Sequence, residues 1–263
     1  MIRISSNNNS NIIKYLMHEP HYNTYILGDI YVYGVDGDIV SLYVDDIDNM
    51  RCIVMKFEKD FVVYSLKDNF LPTEIVSFIY KHQENDSCIS GKGSTIEKLF
   101  SVMSDKKCRS TKLACFSGNC SKSHTNVYKL TENDAEDILD LYCSISEFKD
   151  KYKNISATEI PSLFIGGRIF GIRDCSGKII ASAASTAESD FCAMITNVCV
   201  RQDYRKNGLS RKVMESLITD LQKNNICNIC LYYDNPIAAN LYESLGFKVL
   251  GEYKTLRNKT ILG

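Results

Sequence analysis

The chain has no excess of either charge: 31 Lys and Arg residues stand against 32 Asp and Glu, a formal net charge of −1. Affinity for nucleic acid comes mainly from counterion release by a basic surplus, so no nucleic-acid partner is expected. The chain also lacks the roughly 18 to 20 consecutive apolar residues of a membrane span. Its first ten residues are polar and Asn-rich instead of forming the apolar stretch of a signal segment. No membrane partner and a cytoplasmic location are therefore expected. No low-complexity linker or long run of like charge breaks the sequence, so any domain boundary has to come from the order of elements. With 44% hydrophobic and 24% charged residues over 263 positions, the composition is that of a globular protein of one large or two modest domains. Eleven cysteines form an odd, scattered set in a chain too long to need disulfides, and they read as reduced thiols.

The densest cluster of turn formers, residues 117–125, marks a boundary between units 1–122 and 123–263. In the second unit a short strand at 126–130 leads to a helix-start signal, Thr131 with Asp134, and a second helical stretch is expected at 157–165. Strands follow at 168–173 and 178–184, joined by the hairpin signal Asp174-Cys175-Ser176-Gly177, and at 191–200. From Gly208 the residues Leu209, Val213, Leu217 and Leu221 recur every four positions, one face of a helix. The apolar run 226–233 reads as a buried parallel strand, and Pro236 and Gly246 bracket a further helix. The first unit has the same order more loosely: helix at 11–27, strands at 29–34, 39–45, 52–57 and 61–66, helices at 73–83 and 94–103, and strands near 88 and at 111–116. This suggests two copies of one α/β topology.

Metal and phosphate motifs are incomplete. Cys227 and Cys230 have zinc-like spacing but fall in an apolar strand, with no second pair to complete a site. His18-Glu19-Pro20-His21 is interrupted by Pro20. Ser90-Gly91-Lys92-Gly93-Ser94-Thr95 lacks the first glycine of a phosphate loop and the hydroxyl residue after its lysine. No metal is expected.

The informative stretch is Val198-Cys199-Val200-Arg201-Gln202-Asp203-Tyr204-Arg205-Lys206-Asn207-Gly208-Leu209-Ser210, a strand passing through a short loop into an amphipathic helix. Such a loop directs backbone N–H groups and the positive end of a helix at one point, with Arg205, Lys206, Arg211 and Lys212 beside it, an arrangement suited to pyrophosphate. One strand further on comes Asn235-Pro236-Ile237-Ala238-Ala239-Asn240-Leu241-Tyr242-Glu243-Ser244-Leu245-Gly246-Phe247. Together, in this order, the two resemble the GNAT superfamily of acetyl-CoA-dependent N-acetyltransferases. Arg205, Gly208 and Ser210 match its pyrophosphate loop, although Ser210 stands where Gly or Ala is usual.

The resemblance covers about residues 126–255 and is sharp from Val198 to Phe247. It implies a mixed central sheet flanked by helices, with the first unit a degenerate copy because its loop Lys67-Asp68-Asn69-Phe70-Leu71-Pro72 has no glycine. It implies further that Val198, Cys199 and Val200 line the pantetheine of acetyl-CoA. Arg205, Lys206, Asn207, Gly208, Leu209 and Ser210 hold the pyrophosphate, and Asn235 and Ala238 lie along the cofactor arm. Tyr242 serves as the acid near the thioester sulfur. The expected reaction is direct attack on acetyl-CoA by a primary amine, borne by a small molecule or a peptide and more simply by the former, within a ternary complex; a covalent route through Cys199 is the weaker reading. Glu188 and Asp190 precede the central strand, but the general base stays unassigned. A non-catalytic acyl-CoA-binding module of the same fold is the alternative, distinguished by Tyr242, since a pure binder needs no leaving-group acid. Monomer and homodimer both remain open.

Overall fold

The structure, a computed structural model, describes residues 1–5, 9–35 and 37–259. Its contacts define two compact units that are not consecutive in the chain. Unit 1 comprises Met1–Ala114, Tyr232–Asn235 and Val249–Gly263; unit 2 comprises Cys115–Leu231 and Pro236–Lys248. The boundary drawn at 122/123 treats the chain as two successive halves, whereas the last strand of the chain belongs to the first unit. That exchange depends on strand pairing over long sequence separations, which turn chemistry does not encode.

Unit 1 opens with β1 (Ile2–Arg3), α1 (Asn9–Leu16) and α2 (Thr24–Tyr33). Next come β2 (Val40–Val44), β3 (Ile53–Phe57), β4 (Asp60–Tyr64), α3 (Pro72–His82), β5 (Ile89–Lys92), α4 (Gly93–Phe100) and most of β6 (Lys106–Phe116). Its strands are ordered β1-β2-β3-β4-β5, then the final strand β12 (Phe247–Asn258), then β6. β4 and β5 are parallel from Phe61↔Ile89 to Val63↔Gly91, and β12 runs antiparallel to β5. Gly91 is required here, because a Cβ would sit 2.0 Å from the Val63 carbonyl oxygen. Leu256 of β12 packs in one core with Val54, Phe61, Val63, Ile75, Ile89 and Leu99.

One sequence expectation fails in this unit. Residues 29–34, expected as a strand from their Ile-Tyr-Val-Tyr pattern, continue α2 to Tyr33, and Gly34 ends it at φ +80°. The helix buries Ile26, Leu27 and Ile30 at helical spacing, so tertiary packing overrides the β preference of those residues. The expected helix at 11–27 is divided between α1 and α2 at Pro20, which lies in the intervening turns.

In unit 2, β7 (Tyr128–Lys129) is followed by the Thr131–Asp134 capping box and by α5 (Ala135–Cys143). The stretch expected as helix at 157–165 is a 3₁₀ segment, Ala157–Phe164, interrupted by Pro161 and preceded by the short α6 (Lys149–Tyr152). β8 (Ile169–Arg173), β9 (Ile179–Thr186) and β10 (Cys192–Val200) form an antiparallel meander. α7 (Leu209–Lys223) then leads to β11 (Asn228–Tyr233) and α8 (Pro236–Leu245). The strand order is β11-β10-β9-β8-β7, with only β10 and β11 parallel. α7 buries Val213, Met214, Leu217, Ile218 and Leu221, the face marked by its four-residue periodicity.

Cys230 is buried in β11 while Cys227 is exposed before it, so the pair does not converge. Among the described residues no cluster of three or more His, Cys, Asp or Glu side chains could hold a metal ion, and no helix is long and apolar enough to cross a membrane.

Candidate active site

The parallel register of β10 and β11 runs from Cys192↔Asn228 to Ile195↔Leu231 and stops there, while β10 continues against β9 as far as Val200↔Ala181. The β9 register slips between Thr196 and Cys199, so Asn197 and Val198 together stand opposite Ala183. Asn197 takes φ +49° at this bulge. A bulge turns backbone groups out of the ladder, and here it does so where β10 is no longer registered with β11. Val198, Cys199 and Val200 thus lie together along the released end of β10.

The bulge is held by buried polar groups. Asn197 Nδ2 donates to Tyr152 Oη at 3.0 Å, and Ser182 Oγ donates to the Asn197 carbonyl at 3.4 Å. Cys199 Sγ lies 3.5 Å from Ser182 Oγ. Burial pushes the Cys199 thiol up to about 11, which keeps it protonated at neutral pH and removes the basis for a covalent route.

After β10, a 3₁₀ turn (Gln202–Tyr204) leads into the loop. Tyr204 Oη donates to Asp174 Oδ2 at 2.9 Å, and Arg205 Nε donates to the Val200 carbonyl at 3.1 Å, so the loop is pinned at its base. Lys206 and Gly208 both have left-handed backbone, φ +65° and +70°. A Cβ on Gly208 would meet nothing within 4 Å; the glycine is there for its conformation and for the open space beside it. α7 starts at Leu209 with no side-chain cap and no acidic residue in its first turn. Its first N–H groups, left without intrahelical partners, and the positive helix end face the loop. Arg205, Lys206, Asn207 and Gly208 are exposed, and Leu209 and Ser210 half-buried. The Ser210 hydroxyl does not cap the helix.

α8 buries none of its residues. Ala238 and Tyr242 on it are half-exposed, and the Tyr242 ring meets Phe247 edge-on at 6.1 Å. Burial pushes the Tyr242 phenol up to about 12, so it stays a hydrogen-bond donor throughout the physiological range. Asn235 is exposed in the turn before α8, and its contacts group it with unit 1. Residues 198–200 and 205–210 are brought together at one end of β10 and α7, and Ala238 and Tyr242 lie on one helix of the same unit.

Two features escaped the sequence reading. Arg211 donates to both the Ser244 hydroxyl and the Ser244 carbonyl, tying the first turn of α7 to the end of α8. Glu188, left open as a base, is bound by Arg168, which also pairs with Asp220, and by the Ser185 hydroxyl. The guanidinium and the hydroxyl hold the Glu188 carboxylate in place.

The corresponding position in unit 1 is built differently. Just beyond β4 the Leu66 N–H donates to Tyr15 Oη at 3.0 Å, and Lys92 Nζ reaches the Leu66 carbonyl at 3.3 Å. Lys92 also pairs with Glu19 at 2.7 Å, and Tyr64 Oη donates to the same carboxylate at 2.9 Å. Side chains of this unit therefore occupy the backbone groups released where β4 and β5 part.

A left-handed glycine loop, an uncapped helix N-terminus and a bulged strand end are features of one unit. Residues 166–249 match the family model of the acetyltransferase (GNAT) domain. The chloroplastic GCN5-related N-acetyltransferase 1 of Arabidopsis thaliana is 43% identical over 68 residues, 26% of this chain and 34% of that protein. The [ribosomal protein bS18]-alanine N-acetyltransferase of Escherichia coli K12 is 38% identical over 74 residues, 27% of this chain and 49% of that protein. The matched stretches thus span a third to a half of these relatives. Among solved structures, a tandem GNAT protein from the clavulanic acid biosynthesis pathway superposes with a TM-score of 0.60 at 10% identity, covering 97% of each chain. Residues 166–249 are thus similar to the acetyltransferase (GNAT) domain, and the fold of the chain is that of solved GNAT proteins.

Proposed function

We propose that the protein transfers the acetyl group of acetyl-CoA to a primary amine, with unit 2 binding the cofactor. The observation that supports this most is the loop at 205–210, with left-handed backbone at Lys206 and Gly208 leading into the uncapped α7. Its amides and positive helix end hold the pyrophosphate. Val198 and Val200 offer main-chain hydrogen bonds to the pantetheine along the released end of β10, and Cys199 shapes that edge. Ala238 on α8 flanks the cofactor arm.

Bound acetyl-CoA supplies the thioester. In the reaction the amine nitrogen bonds to the acetyl carbon, the C–S bond breaks, and the electron pair leaves on sulfur. A main-chain N–H at the bulge polarises the carbonyl, and the Tyr242 hydroxyl donates a hydrogen bond to the departing sulfur. With Glu188 bound to Arg168, the proton of the amine passes to solvent. The bacterial relative acts on an alanine of a ribosomal protein, which agrees with an amine-bearing acceptor here.

Unit 1 is read as a degenerate GNAT-like unit, because Tyr15 and Lys92 take the Leu66 backbone groups a pantetheine would need, and Glu19 holds Lys92 there. Calorimetric titration with acetyl-CoA and with desulfo-CoA tests the whole reading. One site per chain is expected, together with thiol release when an amine is added. Two sites would overturn the degenerate reading of unit 1, and no binding would overturn the function. Binding without thiol release from any amine would favour a non-catalytic acyl-CoA module.

A further inference from the structure

Asn197 takes left-handed backbone inside a strand. The other non-glycine residues with such backbone among those described, Glu58, Asp68, Ala187, Lys206 and Asn225, lie in turns and loops. Asparagine enters this region more readily than most residues, but still against the preference of L-amino acids. A residue in that state persists where its surroundings over-determine it.

Asn197 is held twice. Its side-chain Nδ2 donates to Tyr152 Oη at 3.0 Å, and its carbonyl accepts from Ser182 Oγ at 3.4 Å. All three side chains are buried, where a lost hydrogen bond is costly. Tyr152 ends α6, and its ring is fixed against Tyr142 at 4.8 Å and Phe148 at 6.3 Å within one core. These residues all belong to unit 2.

The Asn197 carbonyl and the Val198 N–H are the two ends of one trans peptide, so they point in opposite directions. Ser182 is on β9, which turns the carbonyl to that side and the Val198 N–H to the other, where β10 is no longer in register with β11. A hydrogen bond weakens steeply with misalignment, so a small rotation of this peptide would remove its use as a donor without touching the loop at 205–210.

We infer that Asn197 and Tyr152 are positioning residues that aim the Val198 N–H at the carbonyl oxygen of bound acetyl-CoA. Neither touches the reacting atoms; both act through the main chain, and Ser182 secures the same peptide from β9. The inference rests on the acetyl-CoA reading above and adds what orients the polarising donor. A donor already held in place stabilises the charge that develops on the oxygen with no reorganisation during the reaction.

The test needs no acceptor amine. Acetyl-CoA isotopically labelled at its carbonyl carbon is bound to the full wild-type chain, to Tyr152→Phe and to Asn197→Gly. The carbonyl stretch is read from infrared difference spectra, and affinity from calorimetry on the same proteins. Tyr152→Phe keeps the ring and removes the acceptor of the Asn197 amide, whereas Asn197→Gly permits left-handed backbone and removes the side-chain hook. The expected result is a stretch displaced to lower frequency in the wild-type complex relative to free acetyl-CoA, most of that displacement lost in both variants, and affinity unchanged. A displacement retained in either variant overturns the inference, and so does affinity lost together with it, which would make the pair a support of the fold alone. An undisplaced stretch in a wild-type complex refutes the inference and leaves the acetyl-CoA reading standing; no binding by the wild type refutes both.

Discussion

At the residue scale, burial displaces two groups, the Tyr242 phenol and the Asp29 carboxyl. The Tyr242 phenol, at about 12, is a weaker acid than an alkyl thiol with its reference value of about 8.5. Full proton transfer to the departing thiolate would therefore run uphill by roughly 5 kcal/mol, whereas a hydrogen bond to it has no such penalty. Tyr242→Phe should leave acetyl-CoA affinity unchanged and lower kcat by roughly ten- to hundredfold, the range of one hydrogen bond to a charged acceptor. Steady-state kinetics with direct titration checks this, and an unchanged kcat would remove Tyr242 from the reaction. For Asp29 the folded-state value, about 7, is above the unfolded one. Its penalty is thus absent below about pH 4, grows as pH rises toward 7 and levels off above, reaching at most roughly 4 kcal/mol. Asp29→Asn should raise the melting temperature at pH 8 and leave it nearly unchanged at pH 4.

At the element scale, the loop between β10 and α7 separates conformational from electrostatic demands. Gly208 has left-handed φ and open space around its Cβ position. Gly208→Ala should therefore cost only the backbone strain, about 1 to 2 kcal/mol, with a modest loss of acetyl-CoA affinity. Gly208→Glu adds a negative charge where the pyrophosphate would lie and should abolish binding. Calorimetry on both variants distinguishes the two effects, and unchanged affinity in the glutamate variant would move the cofactor site elsewhere. β10, α7, β11 and α8 were legible in the sequence because long periodic runs are punctuated there by Gly208, Pro236 and Gly246, residues with few conformational alternatives. α2 was not, since alternating Ile, Tyr and Val residues satisfy strand and helix patterns alike until Ile26 and Ile30 find a core. The bulge at Asn197 was also hidden, because its support comes from Tyr152 and Ser182 on other elements.

At the scale of the whole molecule, each unit is assembled from segments that are not consecutive in the chain. The resemblance of the loop and α8 region to one family could be read from adjacent residues, but membership of residues 249–258 in unit 1 is settled by pairing with β5 far earlier in the chain. A chain ended at Lys248 should lose cooperative structure in unit 1, although the deleted residues lie at the opposite end of the sequence. Hydrogen exchange should show protection falling at Ile89, Ser90 and Gly91, the β5 partners of β12. Protection there equal to that of the full chain would mean that β12 contributes little.

The placement of β12 has a consequence for how the protein is made. A ribosome releases residues in order, and the first unit waits for a strand that emerges only after unit 2. During synthesis β5 presents an open, hydrogen-bonding edge beside Ile89 and Leu99 while the whole of unit 2 is still being translated. The unit begun before unit 2 is thus completed after it, and nascent chains stalled before Phe247 should be the species that chaperones retain.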